Sequence, residues 1–320
     1  GAKEEAFIAK GRQKFDVRIC ALGGSVATPS NGIDAEVIEV QSLAELKELG
    51  KEKIAGKIVF FNRPMDPKHI HTGAAYGGAG DQRGNGPAEA ARYGAVGAVV
   101  RSLTLANDDN PHTGMTRYND SLPKIPACAI STKGADALSN LLKLKTAGPV
   151  RMFLKMSCQT LPDVLSYNVI AEMRGTEIPN EIIIAGGHLD SWDNGQGAHD
   201  DGAGCVQSIE ALRLLKQLGL KPKRTLRVVL FMNEENGVKG GNEYARVLSL
   251  DKNTKHIAAI ESDAGGFTPR AFGMDDSLTV QFFKQWESTF EPYGIEQIRM
   301  GWGGTDIAPM KKYGVVQIGY

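Results

Sequence analysis

Two apolar runs in the second half of the chain, EIIIAG (181–186) and LRVVLFM (226–232), constrain its fold more than any other feature. Each has strand length and lacks the alternation of a half-buried strand, so each needs cover on both faces. The stretch from about Ala203 to Leu218 and the segment GGNEYARVLSL (240–250) between them and the next strand carry helical spacing. Strands alternating with helices in this way build a mostly parallel mixed sheet flanked by helices, an α/β fold. The series is completed by SYNVIAEMRG (166–175) and HIAAIESD (256–263) as strands and by SLTVQFFKQWESTF (277–290) as a helix. A short helix around Asp306–Tyr313 then leads into the terminal strand GVVQIGY.

The first half reads differently. DVRICALG (16–23), AEVIEVQS (35–42), KIVFFN (57–62), GAVVRS (97–102), PACAIS (126–131) and VRMFLKMS (150–157) are Val-, Ile- and Phe-rich segments bounded by Gly, Pro or Asn, the pattern of short strands. SLAELKEL (42–49), PAEAARYG (87–94) and TKGADALSNLLKL (132–144) have helical spacing. Segments 63–86 and 103–124, polar or glycine-rich, are expected to be long loops. With 320 residues, two domains are the expectation. The boundaries read as an N-terminal remnant or linker over 1–20, a β-rich domain over 21–158 and a second domain over 159–320.

Lys+Arg and Asp+Glu both number 37, which gives no basic footprint for nucleic acid and no attraction to an anionic membrane. No apolar run is long enough to span a bilayer, and residues 1–15 lack the apolar core of a signal peptide. The four cysteines, Cys20, Cys128, Cys158 and Cys205, show no CxxC spacing.

The chemistry gathers where the second-half strands end. His188-Leu189-Asp190 follows the first apolar run, Asp200-Asp201 precedes a helix, Glu234-Glu235 follows the second run and Asp263 follows HIAAI. Taken singly, these are a strand-end histidine, a helix cap and two turns. In a parallel sheet, however, the carboxyl ends of the strands share one edge, where ligands bind. Histidine and carboxylates without cysteine suit catalytic Zn²⁺. Two ions sharing a carboxylate would activate a water; Asp190 would hold the second ring nitrogen of His188, and one of the Glu pair would be a general base. His69 and His71 in one loop, and the glycine-rich GGAGDQRGNGP, read as solvent-facing and as a flexible loop.

The motifs GGHLDSWDNGQGAHDDGAG (186–204), LKPKRTLRVVLFMNEENG (220–237), ESDAGGF (261–267) and GGTDI (303–307) resemble the co-catalytic zinc aminopeptidase and glutamate-carboxypeptidase family. GKIVFFN (56–62), NPHTGM (110–115) and LPKIPACAIS (122–131) extend the likeness through the first half. The resemblance implies that His188 and Asp263 bind one zinc, that Asp200 bridges two, and that Glu235 binds the second. It implies a cis peptide between Asp200 and Asp201, Glu234 as the general base, and Thr305 and Asp306 as substrate contacts. The first half would then be a protease-associated domain overhanging the active site. The family's last histidine ligand falls in a loop beyond Tyr320, so the chain is expected to be truncated at both ends relative to a whole enzyme.

The function so implied is hydrolysis of dipeptides or short peptides with a free amino terminus, outside the cytoplasm and in a possible homodimer. Two other readings remain. A non-catalytic receptor on the same fold would be expected to have lost ligands or the base, whereas His188, Asp200, Glu234, Glu235 and Asp263 all remain here. A glutaminyl-cyclase-like transferase would form pyroglutamate.

Overall fold

The computed structural model describes residues 3–144 and 148–320. The chain divides into two compact units between Asp163 and Val164.

The first unit contains β1 (Glu4–Lys10), β2 (Gln13–Asp16), β3 (Ile19–Ala21), β4 (Ile33–Val40), α1 (Leu43–Ile54), β5 (Ile58–Phe61), α2 (Thr72–Gly84), α3 (Gly86–Arg92), β6 (Gly97–Arg101), β7 (Ala127–Ile130), α4 (Thr132–Lys143) and β8 (Arg151–Met156). Its strands form one sheet in the order β2-β1-β8-β4-β5-β6-β7-β3, and β4 to β7 run parallel. All four residues of β5 are buried, as are those of β7, because helices and loops cover both faces. Phe60 packs into one core cluster and Phe61 into another, which places the two rings on opposite faces of the sheet.

Two expectations need correction here. Residues 4–16, read from the sequence as linker, form a hairpin that pairs along β8. Ala6, Ile8 and Lys10 alternate inward along β1. The Lys10 ammonium donates to the Leu141 and Leu144 carbonyls at 2.8 and 2.6 Å, satisfying the open C-terminal end of α4. The segment expected to be a loop over 63–86 contains α2, despite glycines that disfavour helix. Ala75 and Ala79 bury a face against Met65 and Leu103, and the buried Gln82 clasps the Arg63 backbone through bonds of 3.0 and 2.7 Å. Tertiary burial overrides the local preference.

The second unit contains β9 (Val169–Met173), β10 (Ile178–His188), α5 (Gly202–Gln217), β11 (Arg224–Phe231), α6 (Lys239–Leu250), β12 (Lys255–Glu261), β13 (Ala271–Met274), α7 (Ser277–Lys284), α8 (Glu287–Phe290), β14 (Gln297–Met300) and β15 (Val316–Gly319). The sheet order is β14-β13-β15-β12-β10-β11-β9, a mixed sheet whose central four strands, β15-β12-β10-β11, are parallel. Its core is Ile182, Ile184, Val229, Phe231 and Ala259 with Tyr244 and Ala245 of α6, Ile307, and Met310 of the 3-10 turn Ala308–Tyr313. The helix expected over 277–290 is two short helices, α7 and α8, and the four-residue strands β13 and β14 add to the edge.

From β10 the chain crosses to β11 on one side, and the next strand, β12, lies on the other side of β10. That reversal makes the carboxyl ends of β10 and β12 a topological switch point, the place where a parallel sheet opens a crevice.

Candidate metal centre at the carboxyl edge of the second sheet

His188 is the last residue of β10 and its side chain is 1% exposed. Its backbone N–H donates to Asp201 Oδ2 at 2.9 Å, and the other Asp201 oxygen accepts from Gly204 N–H at 3.0 Å. Asp201 thus caps α5 and ties the start of that helix to the end of β10. The approach is so close that a Cβ on Gly204 would run into the Ser262 carbonyl. Burial is the main reason Asp201 is pushed up to about 7, with the charge of Asp263 adding to it.

The ring of His188 is held at both nitrogens. Nδ1 lies 2.8 Å from the Asp190 backbone carbonyl, and Nε2 lies 2.9 Å from Asp200 Oδ1 and 3.4 Å from Asp263 Oδ1. Burial by itself would depress the imidazole, but the hydrogen-bonded carboxylates of Asp200 and Asp263 outweigh it and raise it to about 12. Asp200 is lowered, chiefly by the same hydrogen bond. The peptide between Asp200 and Asp201 is cis.

Asp190 does not hold the ring with its carboxylate, as the sequence suggests, because that group is 3.9 Å from Nδ1 and is turned to other donors. It accepts the backbone N–H of Glu234 at 2.9 Å and of Glu235 at 3.3 Å. One residue therefore serves both strand ends, the carbonyl orienting His188 and the carboxylate fixing the turn after β11. The turn enters through Asn233 at φ 68 and leaves through Val238 at φ 56. Asparagine adopts that left-handed conformation readily, which accounts for its place before the Glu pair.

Glu234 and Glu235 are both half-buried. Glu234 is raised by burial first and by Asp263 among its acidic neighbours, while a hydrogen bond from the Thr305 hydroxyl opposes the shift. Glu235 is pushed up to about 7 by burial and then by the charges of Asp200 and Glu234, against a hydrogen bond from Trp192.

Among the described residues, His188, Asp200 and Asp263 bring one ligand atom each within 4.8 Å of one another. Glu235 stands outside that group. Two carboxylates aimed at one imidazole nitrogen, whose partner nitrogen is already tied to a carbonyl, are a donor set that a divalent cation satisfies. One nitrogen, two oxygens and no thiolate fit zinc in an open site.

Thr305 lies half-buried beside Glu234. Asp306, expected to touch substrate, is 0% exposed, and neither carboxylate oxygen has a hydrogen-bond partner. It packs beneath the site, with its backbone against Gly241 of α6. Burial and the neighbouring Glu261 push it up to about 9. Sequence reasoning passed over Glu261, the last residue of β12, which is 2% exposed and pushed up to about 8, first by burial. Its position in ESD, directly before the Asp263 turn, was the available signal. His69 and His71 are exposed and outside the metal group.

A mixed α/β sheet with a histidine–carboxylate cluster at its switch point defines a metallopeptidase-like class. The chain belongs to peptidase family M28, whose description matches residues 168–320. A solved structure, the peptidase M28 precursor from Shewanella amazonensis SB2B, superposes with a TM-score of 0.91 at 33% identity over 99% of this chain and 71% of that one. Carboxypeptidase Q of Xenopus laevis is 43% identical over 83% of this chain and 54% of its own length. Human carboxypeptidase Q is 37% identical over 95% and 62% respectively. A zinc aminopeptidase from Bacillus subtilis shares the fold with a TM-score of 0.63 at 19% identity, over 99% of this chain and 73% of that one. The chain spans between 54% and 64% of the length of the carboxypeptidase Q relatives it matches.

Proposed function

We propose that this chain carries the metal-binding and catalytic residues of a zinc exopeptidase that hydrolyses dipeptides or short peptides with a free amino terminus. The observation that carries the reading is the convergence of His188, Asp200 and Asp263 beside the Glu234–Glu235 turn. His188, Asp200 and Asp263 would hold one ion, and Asp200 with Glu235 would contribute to a second. Zinc bound there supplies Lewis-acid polarisation of the scissile carbonyl and lowers the pKa of a water.

The rest is done by the protein. Glu234, in reach of the crevice and lifted above the ordinary carboxylate range, takes a proton from the attacking water and passes it to the leaving amine. Glu235 and Asp263 receive the positive amino terminus of the substrate. Asp190 keeps the Glu234 backbone in register with His188. The first unit is assigned to the protease-associated class, and the protein to an extracytoplasmic homodimer, on the resemblance of its motifs. No helix among the described residues is long and apolar enough to cross a membrane.

The test is turnover of a dipeptide panel by the zinc-loaded protein and by Glu234→Gln. The variant should keep its zinc and lose about 10²- to 10⁴-fold in kcat. Turnover at the unsubstituted rate would remove Glu234 as the base, and pyroglutamate formation in place of hydrolysis would redirect the reading to a cyclase.

A further inference from the structure

Of the three clustered ligands, His188 ends β10 and Asp200 adjoins the cap of α5, but Asp263 lies in the connection between β12 and β13. Its carboxylate nevertheless stands 3.4 Å from His188 Nε2. The residue before it, Ser262, is buried and held on three sides. Its N–H donates to the Gly186 carbonyl of β10 at 3.0 Å. Its own carbonyl lies against Gly204 of α5, where an added Cβ would come within 1.8 Å of the oxygen. Its hydroxyl donates at 2.7 Å to Oε1 of Gln207, which lies about one turn further along α5. Gln207 also reaches past Asp263, its Nε2 donating to the Gly265 carbonyl at 3.5 Å. Gly265 takes φ +89 there, a conformation that suits glycine. A separate tie, from Gly266 N–H to His199 Nδ1 at 3.2 Å, follows.

We propose that Gln207 is a positioning residue for the metal centre: its amide clamps Ser262 and Gly265 on the two flanks of Asp263 and so sets that carboxylate against His188. This rests on the zinc site of the proposed function and deepens it. Asp201, the cap of the same helix, fixes the His188 end of β10 and follows Asp200 directly in the chain. Gly204 and Gln207, three residues apart, share one face of that helix and meet the Asp263 loop there. One helix thus gauges the distance between Asp200 and Asp263. A ligand in an unbraced loop would lose backbone freedom on taking up an ion, whereas a braced one has lost it already. A primary amide suits the task because one planar group accepts from the hydroxyl and donates to the carbonyl.

The experiment compares the protein with three variants, reading zinc affinity by chelator competition and the visible spectrum of the cobalt-loaded form. Gln207→Met keeps the length of the side chain and removes both polar atoms. Zinc affinity should fall about 10-fold or more, and the cobalt bands should shift as the ligand geometry loosens. Ser262→Ala, the milder change, removes the same hydrogen bond from its other end and should move both readouts in the same direction. The double variant Gln207→Met/Ser262→Ala should bind zinc no more weakly than the worse single one, since both act through one contact. A side chain that serves stability alone would leave the cobalt bands in place. Zinc affinity that Gln207→Met leaves within about twofold, unshifted cobalt bands, or losses that multiply in the double variant would overturn the positioning role while the zinc site stands. A wild-type protein that takes up no zinc would overturn the zinc site itself, and this role with it.

Discussion

The two units present the same device, parallel strands buried on both faces, yet treat the carboxyl edge of the sheet in opposite ways. In the first unit the strand-end polar groups neutralise one another. Arg101, at the end of β6, donates to Asp136 at 2.7 Å and to Asn62 at 3.2 Å, and Asn62 donates to Glu39 at 2.6 Å. Ser139 of α4 completes the shell of Glu39 at 3.0 Å. In the second unit the carboxylates of Asp200 and Asp263 both face one imidazole, and Asp201, Glu234, Glu235, Glu261 and Asp306 are all shifted upward, each by burial first. A sheet edge with its cation built in is structural; one that gathers anions faster than it supplies cations is poised to take up a metal ion. The strand order of the first unit runs on from β4 to β7 without reversal, whereas that of the second reverses at β10, so topology and charge balance together single out the second edge.

The contrast can be broken most severely at the second edge. Replacing Asp263 by Asn, or His188 by Ala, should lower zinc affinity by more than about 100-fold, read by elemental analysis after dialysis against a weak chelator. Zinc retained at full stoichiometry by both variants would mean that the ions are held elsewhere.

At the first edge the expectation reverses. Arg101→Met removes the built-in cation, whose side chain is 14% exposed, and should destabilise the protein by about 1–3 kcal/mol in urea unfolding. Its zinc content should not change. A loss of zinc, or no loss of stability, would dissolve the distinction between the two edges.

The smallest effect at neutral pH concerns the opposite end of the second sheet. His256, at the start of β12, is buried and bonded at Nε2 to the Tyr244 hydroxyl at 2.9 Å. Burial, reinforced by Arg227, depresses it from 6.5 to about 4. Between those two values the unfolded chain holds a proton that the folded chain does not, so stability is lost as the pH falls through that window. The loss should reach about 3 kcal/mol by pH 4, and His256→Gln should flatten that limb of the pH–stability curve. An unchanged limb in the variant would assign the acid sensitivity to the carboxylates of the metal edge instead.

How much of this was legible in the sequence varies with the range of the interaction. The helix α4 and the strands β5, β6, β7 and β8 fall where local pattern places them, since their apolar periodicity is carried by adjacent residues. The helix α2 was hidden because its glycines argue against helix, and only Met65 and Leu103, distant in sequence, supply the burial that stabilises it. The hairpin of β1 and β2 left a faint signal in the alternation of Ala6, Ile8 and Lys10 and the turn at Gly11, φ 59. Strands β13 and β14, four residues each, are too short for periodicity to register.

At the site, the sequence by itself determined which residues could meet. A histidine and acidic side chains placed directly after consecutive strands of a parallel sheet must share one edge, because that follows from chain direction alone. What each side chain does there was decided only by the tertiary structure. Asp190 orients His188 through its carbonyl and the Glu pair through its carboxylate, Asp306 is buried with its carboxylate unpartnered, and Glu261 accepts the backbone N–H groups of Thr305 and Ile307. These assignments depend on torsions and on burial by elements far along the chain. A difference of one side-chain rotation separates a ligand from a tether, and no spacing of letters records it.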